Sequence, residues 1–306
     1  MIKKKQIILI LNMVLCGTLS AQTNINEDST FYKNKISEAP ETVFKKFNDA
    51  GMTPSNHVLS DAEQEKVAKA FSLLPPLYIK ILKENLHSIS FMDNMPNTAL
   101  TSPIESADSI KKFTITFRAG ILNETISEWA TWKENSLYKN PENSGYELII
   151  DAGKMDAFVY VLLHEATHVI DAILEISPQT KSNDSFAIPS SFTKDIWKDI
   201  RTLDEKYIFP ILENTRFRGG AVQPISSAPS IYKALAKTPF VSLYSMASWH
   251  EDIAELFTIY HLTTELNQPF IIYIKEKDKV ITKFEPMKNK KVKRRLKNFR
   301  FTFYQE

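Results

Sequence analysis

The chain has 306 residues, with 38 Lys plus Arg against 36 Asp plus Glu and a formal net charge of +2. That balance offers no electrostatic footing for a nucleic-acid partner. A single cysteine, Cys16, excludes a disulfide framework.

Residues 1–21 are predicted to be an export signal. Lys3, Lys4 and Lys5 precede an apolar run from Ile7 to Leu15, broken only by Asn12, and Ser20-Ala21-Gln22 offers a cleavage site. The run is too short to span a bilayer. Cleavage would remove Cys16 and leave no thiol for catalysis; the alternative is lipid anchoring through Cys16. No other stretch is expected to cross a membrane. Residues 22–40 are polar and expected to be a flexible lead-in, with 41–306 forming one domain.

Ser60-Asp61-Ala62-Glu63 fits a capping box and predicts a helix toward Leu74. Pro75-Pro76 breaks it, and a second helix follows to about Leu86. Val67, Phe71, Leu77, Ile79, Ile81 and Leu82 are the expected core of this pair. Strands are predicted at 89–92, 113–118 and 146–150. In 113–117 apolar residues alternate with Thr, as in a strand with one buried face. The stretch 128–138 reads equally as strand or helix. Helices are expected over 193–207 and 230–236, separated by a long loop from Arg216 to Pro229 that could wall a cleft. A helix over 251–266, a hairpin pairing 270–274 with 280–284, and a basic tail complete the reading. The tail, 288–300, holds eight Lys or Arg and no acid. It is expected to be a solvated helix face packed through Val292, Leu296 and Phe299, with a weak contact to an anionic surface as the alternative. Helices with a few short strands make the fold class α+β.

His164-Glu165-Ala166-Thr167-His168 carries the chemistry. At ~100° per residue the two imidazoles lie about 40° apart on one helix face. Such a pair supplies two of the nitrogens zinc prefers, with Glu165 placed to take a proton from a water. A chain of this composition contains H-E-x-x-H roughly 0.008 times by chance, so accident explains it poorly. The polar side of this helix could instead be an ordinary wet face. Yet 155–180 contains no Lys or Arg where about three are expected, and a stripe of His and carboxylates suits a cation.

A catalytic zinc site needs a third protein ligand. Leu174 stands where a third nearby His would mark the metzincin pattern, and His57, His87 and His261 lie elsewhere. Carboxylates are the better source: Glu251 and Glu255 sit one turn apart in His250-Glu251-Asp252-Ile253-Ala254-Glu255, one to bind and one to orient a ligand, with Asp195 and Asp199 as rivals. Here the sequence resembles gluzincin metallopeptidases, most of all those with an E-x-x-A-E segment, such as the anthrax lethal factor-like catalytic domain. The likeness covers 164–171 and 244–257. It implies a zincin-like fold, helix-rich with a small twisted mixed sheet. It also implies one zinc ion on His164, His168 and Glu251, with Glu255 and Asp171 in support and Tyr244 beside the reacting carbonyl. His250 and Trp249 depart from the family, which favours small or polar residues there.

The expected activity is hydrolysis of a peptide or protein substrate, with Glu165 as general base and Tyr244 as oxyanion donor. An extended peptide would pair with a sheet edge, for which 113–118 is the candidate. The alternatives are an exported binding or structural protein, whose zinc gains a fourth ligand from His250, and a zinc amidase acting on cell-wall peptides.

Overall fold

The computed structural model describes residues 27–104, 110–179 and 188–297. The expected export signal, including Cys16, lies outside the described residues, as do Phe299 and Arg300 of the tail. The described part opens with a 3-10 stretch Glu27–Lys35, then runs α1 (Glu41–Asp49), β1 (Ser55–Asn56), α2 (Asp61–Ser72), α3 (Pro76–Asn85), β2 (Leu86–Asp93), β3 (Ala99–Ile104), β4 (Lys112–Arg118) and α4 (Ile126–Asn135). Next come β5 (Tyr138–Lys139), β6 (Tyr146–Asp151), α5 (Ala157–Leu174), α6 (Pro210–Glu213), β7 (Gln223–Pro224) and α7 (Ala228–Leu235). The last elements are α8 (Trp249–Thr264), β8 (Ile271–Glu276), β9 (Lys279–Phe284) and α9 (Lys290–Leu296). This is an α+β arrangement.

Local chemistry sets the boundaries. The Ser60 capping box forms as predicted, Ser60 accepting from the Glu63 amide and the Glu63 carboxylate reaching back to the Ser60 amide at 2.9 Å. Pro76 occupies the first turn of α3, where its missing N–H costs nothing. Of the expected core pair, Val67, Phe71, Ile81 and Leu82 are buried, while Leu77 and Ile79 are half-buried beside buried Tyr78. A second capping box, Thr125 with Glu128, makes the ambiguous 128–138 stretch begin as helix α4.

The main sheet has strand order β1-β2-β4-β3 and is mixed, β2 and β4 parallel and the outer strands antiparallel. This corrects two expectations for 113–118. First, β4 is hydrogen-bonded on both sides, so it is not the sheet edge expected of it; among the described residues the edges are β1 and β3. Second, both of its faces are buried, Thr114 and Thr116 included, with Thr116 satisfied by the Ser90 hydroxyl at 2.9 Å. β6 joins a separate antiparallel sheet with the hairpin β8–β9, whose turn residues Lys277 and Asp278 both take positive φ.

The lead-in reading is corrected from residue 27 on. Tyr32 is buried and stacks on Phe71 at 4.3 Å, and Ile36 bridges to Ile89, so this segment is docked on the core. The helix expected over 193–207 is also absent. Asp195 has φ 61°, and the Asp199 carboxylate accepts from the amides of Arg201 and Thr202, competing with helical bonding. Only Glu205–Tyr207 forms, as a 3-10 turn.

At the centre lies α5. By length and composition alone it would pass for a membrane span, contrary to expectation, but most of it is buried inside the protein. Its back packs on α3, Tyr78 bonding Thr167 at 2.8 Å, and Phe158 meets Phe117 of the sheet at 4.9 Å. Its polar face is mostly covered: His164, Glu165 and Asp171 are buried, with α8 and β3 packed on the helix, while His168 is half-buried and Glu175 exposed. One hydrophobic cluster runs from Tyr32 to Leu296.

Candidate metal centre

α5 contributes His164 and His168, and α8 contributes Glu251. Ser248 caps α8 by accepting from the Glu251 amide at 3.2 Å. A capping box would turn the Glu251 carboxylate back toward the helix start. Instead its Oε2 lies 3.0 Å from His164 Nε2 and 3.6 Å from His168 Nε2. Donors held tetrahedrally at about 2.05 Å from an ion stand about 3.3 Å apart, so the two spacings bracket the requirement. His164, His168 and Glu251 could therefore hold a metal ion. Among the described residues, no other such group of His, Cys, Asp and Glu occurs.

The supporting residues take definite places. Glu255 is buried and accepts from Tyr160 (2.8 Å) and Ser242 (2.6 Å). Its Oε1 lies 3.1 Å from His164 Nδ1, at ion-pair distance though off the line of a good hydrogen bond. A carboxylate there favours the tautomer that leaves Nε2 free for an ion. Burial alone would lower the His164 pKa, but Glu251 and Glu255 outweigh it and raise it to about 10 in the metal-free chain. Against the burial that would raise it, Lys133 and His164 hold Glu255 down to about 2. Burial likewise opposes, and the two imidazoles reverse, a shift that leaves Glu251 well below the usual carboxylate range.

Glu165 faces the same cleft. The Thr101 hydroxyl of β3 donates to its Oε2 at 2.6 Å, leaving Oε1 for another partner. Tyr244 stands in the turn just before α8, its ring stacked on His164 at 5.8 Å between centroids and packed on Phe217 at 4.8 Å. The Lys133 ammonium lies 4.0 Å from the Tyr244 ring centroid. Burial raises the Tyr244 hydroxyl pKa, and Glu251, Glu165 and Glu255 raise it further, so it remains a donor at any working pH.

Asp171 makes no hydrogen bond to His164, His168 or Glu251 among the described contacts. It accepts from the Ser177 amide at 2.7 Å and from the Ser177 hydroxyl, and meets His250 Nδ1 at 3.0 Å. Trp249 Nε1 occupies the other ring nitrogen of His250 at 3.1 Å. Both ring nitrogens of His250 are therefore engaged by partners outside the His164, His168 and Glu251 group. The rivals fall away too: Asp199 caps a turn, Asp195 belongs to a separate recess, and Glu255 is tied to Tyr160 and Ser242. His57 sits between Glu63 and Asp93, and His261 bonds the Leu73 carbonyl.

Sequence reasoning missed Thr101, Lys133, Tyr160 and Ser242. Tyr160 had a signal, being one turn before His164 on the same helix face. Three connected recesses of about 450, 420 and 460 Å³ surround the centre and meet at Tyr244. Arg216 and Phe217, from the loop expected to wall a cleft, line two of them. Comparison with family models, curated proteins and solved structures finds no match.

Proposed function

We propose that the chain is an exported zinc-dependent peptidase of zincin type. One observation carries the reading: a His-His-Glu group that could hold an ion shares a cleft with a buried glutamate, a tyrosine and a sheet edge. The export part rests on the N-terminal sequence alone.

Zinc, when held by His164, His168 and Glu251, would polarise the scissile carbonyl and make a water more acidic. The chain's own groups do the rest. Glu165, oriented by Thr101, takes the proton of the attacking water on its free oxygen and returns it to the leaving nitrogen. The Tyr244 hydroxyl donates to the oxygen on which negative charge develops. The outer edge of β3, unpaired among the described strands, would pair with an extended peptide and lay it beside Glu165. The reading of a closed structural ion finds no support, because His250 is bonded to Asp171 and Trp249.

The test is metal content of the purified chain, measured beside hydrolysis of a peptide library with and without chelator. Equimolar zinc with chelator-sensitive cleavage is expected. Glu251→Ala should empty the site; unchanged zinc after dialysis would move the third ligand elsewhere. Turnover of cell-wall fragments in place of peptides would transfer the activity to an amidase.

A further inference from the structure

One wall of the cleft carries charge that the reaction just described does not use. The recess of about 460 Å³ beside Glu251 and Tyr244 is lined by Arg201, Arg216 and Arg218. Glu251 is its single acid, and an ion would offset that charge. The near-neutral composition of the whole chain makes three guanidinium groups in one recess a local concentration.

The three arginines differ in how they are held. Arg218 is fixed: Nε and Nη2 bond Glu213 at 3.0–3.3 Å, and Nη1 donates to the carbonyls of Arg201 and Met246, both at 2.7 Å. A guanidinium has five N–H groups, so one on Nη2 is left over. These bonds tie the Arg201 turn to the turn carrying Tyr244. Phe217, packed on Tyr244, holds Arg216 at the mouth shared with the neighbouring recess. Arg201 and Arg216 are exposed, and neither has an acidic partner among the described residues. Backbone and ring contacts thus place at the same recess two exposed arginines with no acidic partner among the described residues, and one spare N–H of Arg218. Such an array recognises a carboxylate, which accepts paired N–H groups in one plane.

Resting on the peptidase reading, we infer that this recess binds a substrate carboxylate, so that the enzyme acts on peptides with an acidic group close to the scissile bond. A space of 460 Å³ is about 10 Å across, or about three residues of extended chain at ~3.4 Å each. The carboxylate is therefore within about three residues of the cleaved bond. It belongs either to an Asp or Glu side chain or to a free C-terminus. Lys and Arg side chains are repelled.

The experiment uses the full zinc-loaded chain and heptapeptide pools randomised except at one fixed position, which holds Glu, Gln or Lys. Each pool is made with a free and an amidated C-terminus. Turnover is measured directly, and binding to the Glu165→Gln variant is read by fluorescence anisotropy of labelled pools. At one position Glu should exceed Gln by about tenfold or more, or free termini should exceed amides by as much, which identifies the source of the carboxylate. In Arg201→Gln/Arg216→Gln that ratio should fall to about one, and Arg216→Glu should shift preference toward Lys. Both side chains are exposed and have no acidic partner among the described residues, so these changes spare the fold. Equal turnover of all pools by an active enzyme overturns the inference and leaves the peptidase standing. Arginine-dependent binding of Glu pools without turnover does the reverse. Neither binding nor turnover ends both.

Discussion

Glu255→Gln separates a supporting carboxylate from a ligand. Gln keeps the shape and an acceptor for Tyr160 or Ser242 but removes the charge 3.1 Å from His164 Nδ1. Because this contact lies off the line of a good hydrogen bond, what Gln removes is the attraction of the imidazole to a charged rather than a neutral partner, about 1–1.5 kcal/mol. The lost field at the ion, acting through the imidazole, takes the total to about 1.5–2.5 kcal/mol, or roughly 10- to 70-fold in affinity. Lys133, 3.7 Å from the same carboxylate, then loses its counter-charge and repels the ion further. Competition with a chromophoric chelator at fixed pH measures the zinc Kd directly, without any substrate. Affinity within twofold of the parent chain would show that Glu255 does not act on His164 at all. Affinity lost as completely as in Glu251→Ala would make Glu255 a ligand.

Glu165→Gln should keep stoichiometric zinc and lose on the order of 10²-fold or more in hydrolysis; full activity in a metal-loaded variant refutes the general base. Arg295, in the basic tail, is buried and bidentate with Asp252 at 2.8 and 2.6 Å, so Arg295→Met should cost about 3–5 kcal/mol in urea unfolding. Adding Asp252→Leu should recover most of that loss, and a further drop would contradict the buried-charge account. His57 gives a pH signature: burial pulls its pKa down, but Glu63 and Asp93 more than reverse this, while Glu63 lies below its usual 4.5 despite burial. The His57 contribution is complete below 6.5 and lost as pH rises through its higher folded value; that of Glu63 fades as pH falls below 4.5. The stability difference between the parent chain and His57→Gln should therefore peak in that window and vanish in alkali, and a difference independent of pH would count against it.

Much of the site was legible because its residues are periodic. His164, Glu165 and His168 follow the helical repeat, and Glu251 and Glu255 repeat it on a second helix that packs against the first. β3 was illegible for a physical reason: Ala99–Ile104 is half-exposed, carries Pro103, and gains its strand character only by pairing with β4. Thr101 went unseen with it. The helix expected over 193–207 failed where Asp199 bonds its own backbone, a competition that propensity does not resolve. The burial of Thr114 and Thr116 also escaped a pattern that counts hydroxyls as wet, because Ser90 satisfies one of them from the next strand.

Glu251 stands between two anchors: His250 is joined to Asp171 on the preceding side, and Asp252 to Arg295 and Trp197 on the following side. Neither anchor involves an ion. The seat is thus cut during folding, and an arriving cation has only to displace protons and water. Loading and stripping a metal should leave the backbone where it was, so an ion would exchange without the chain having to refold.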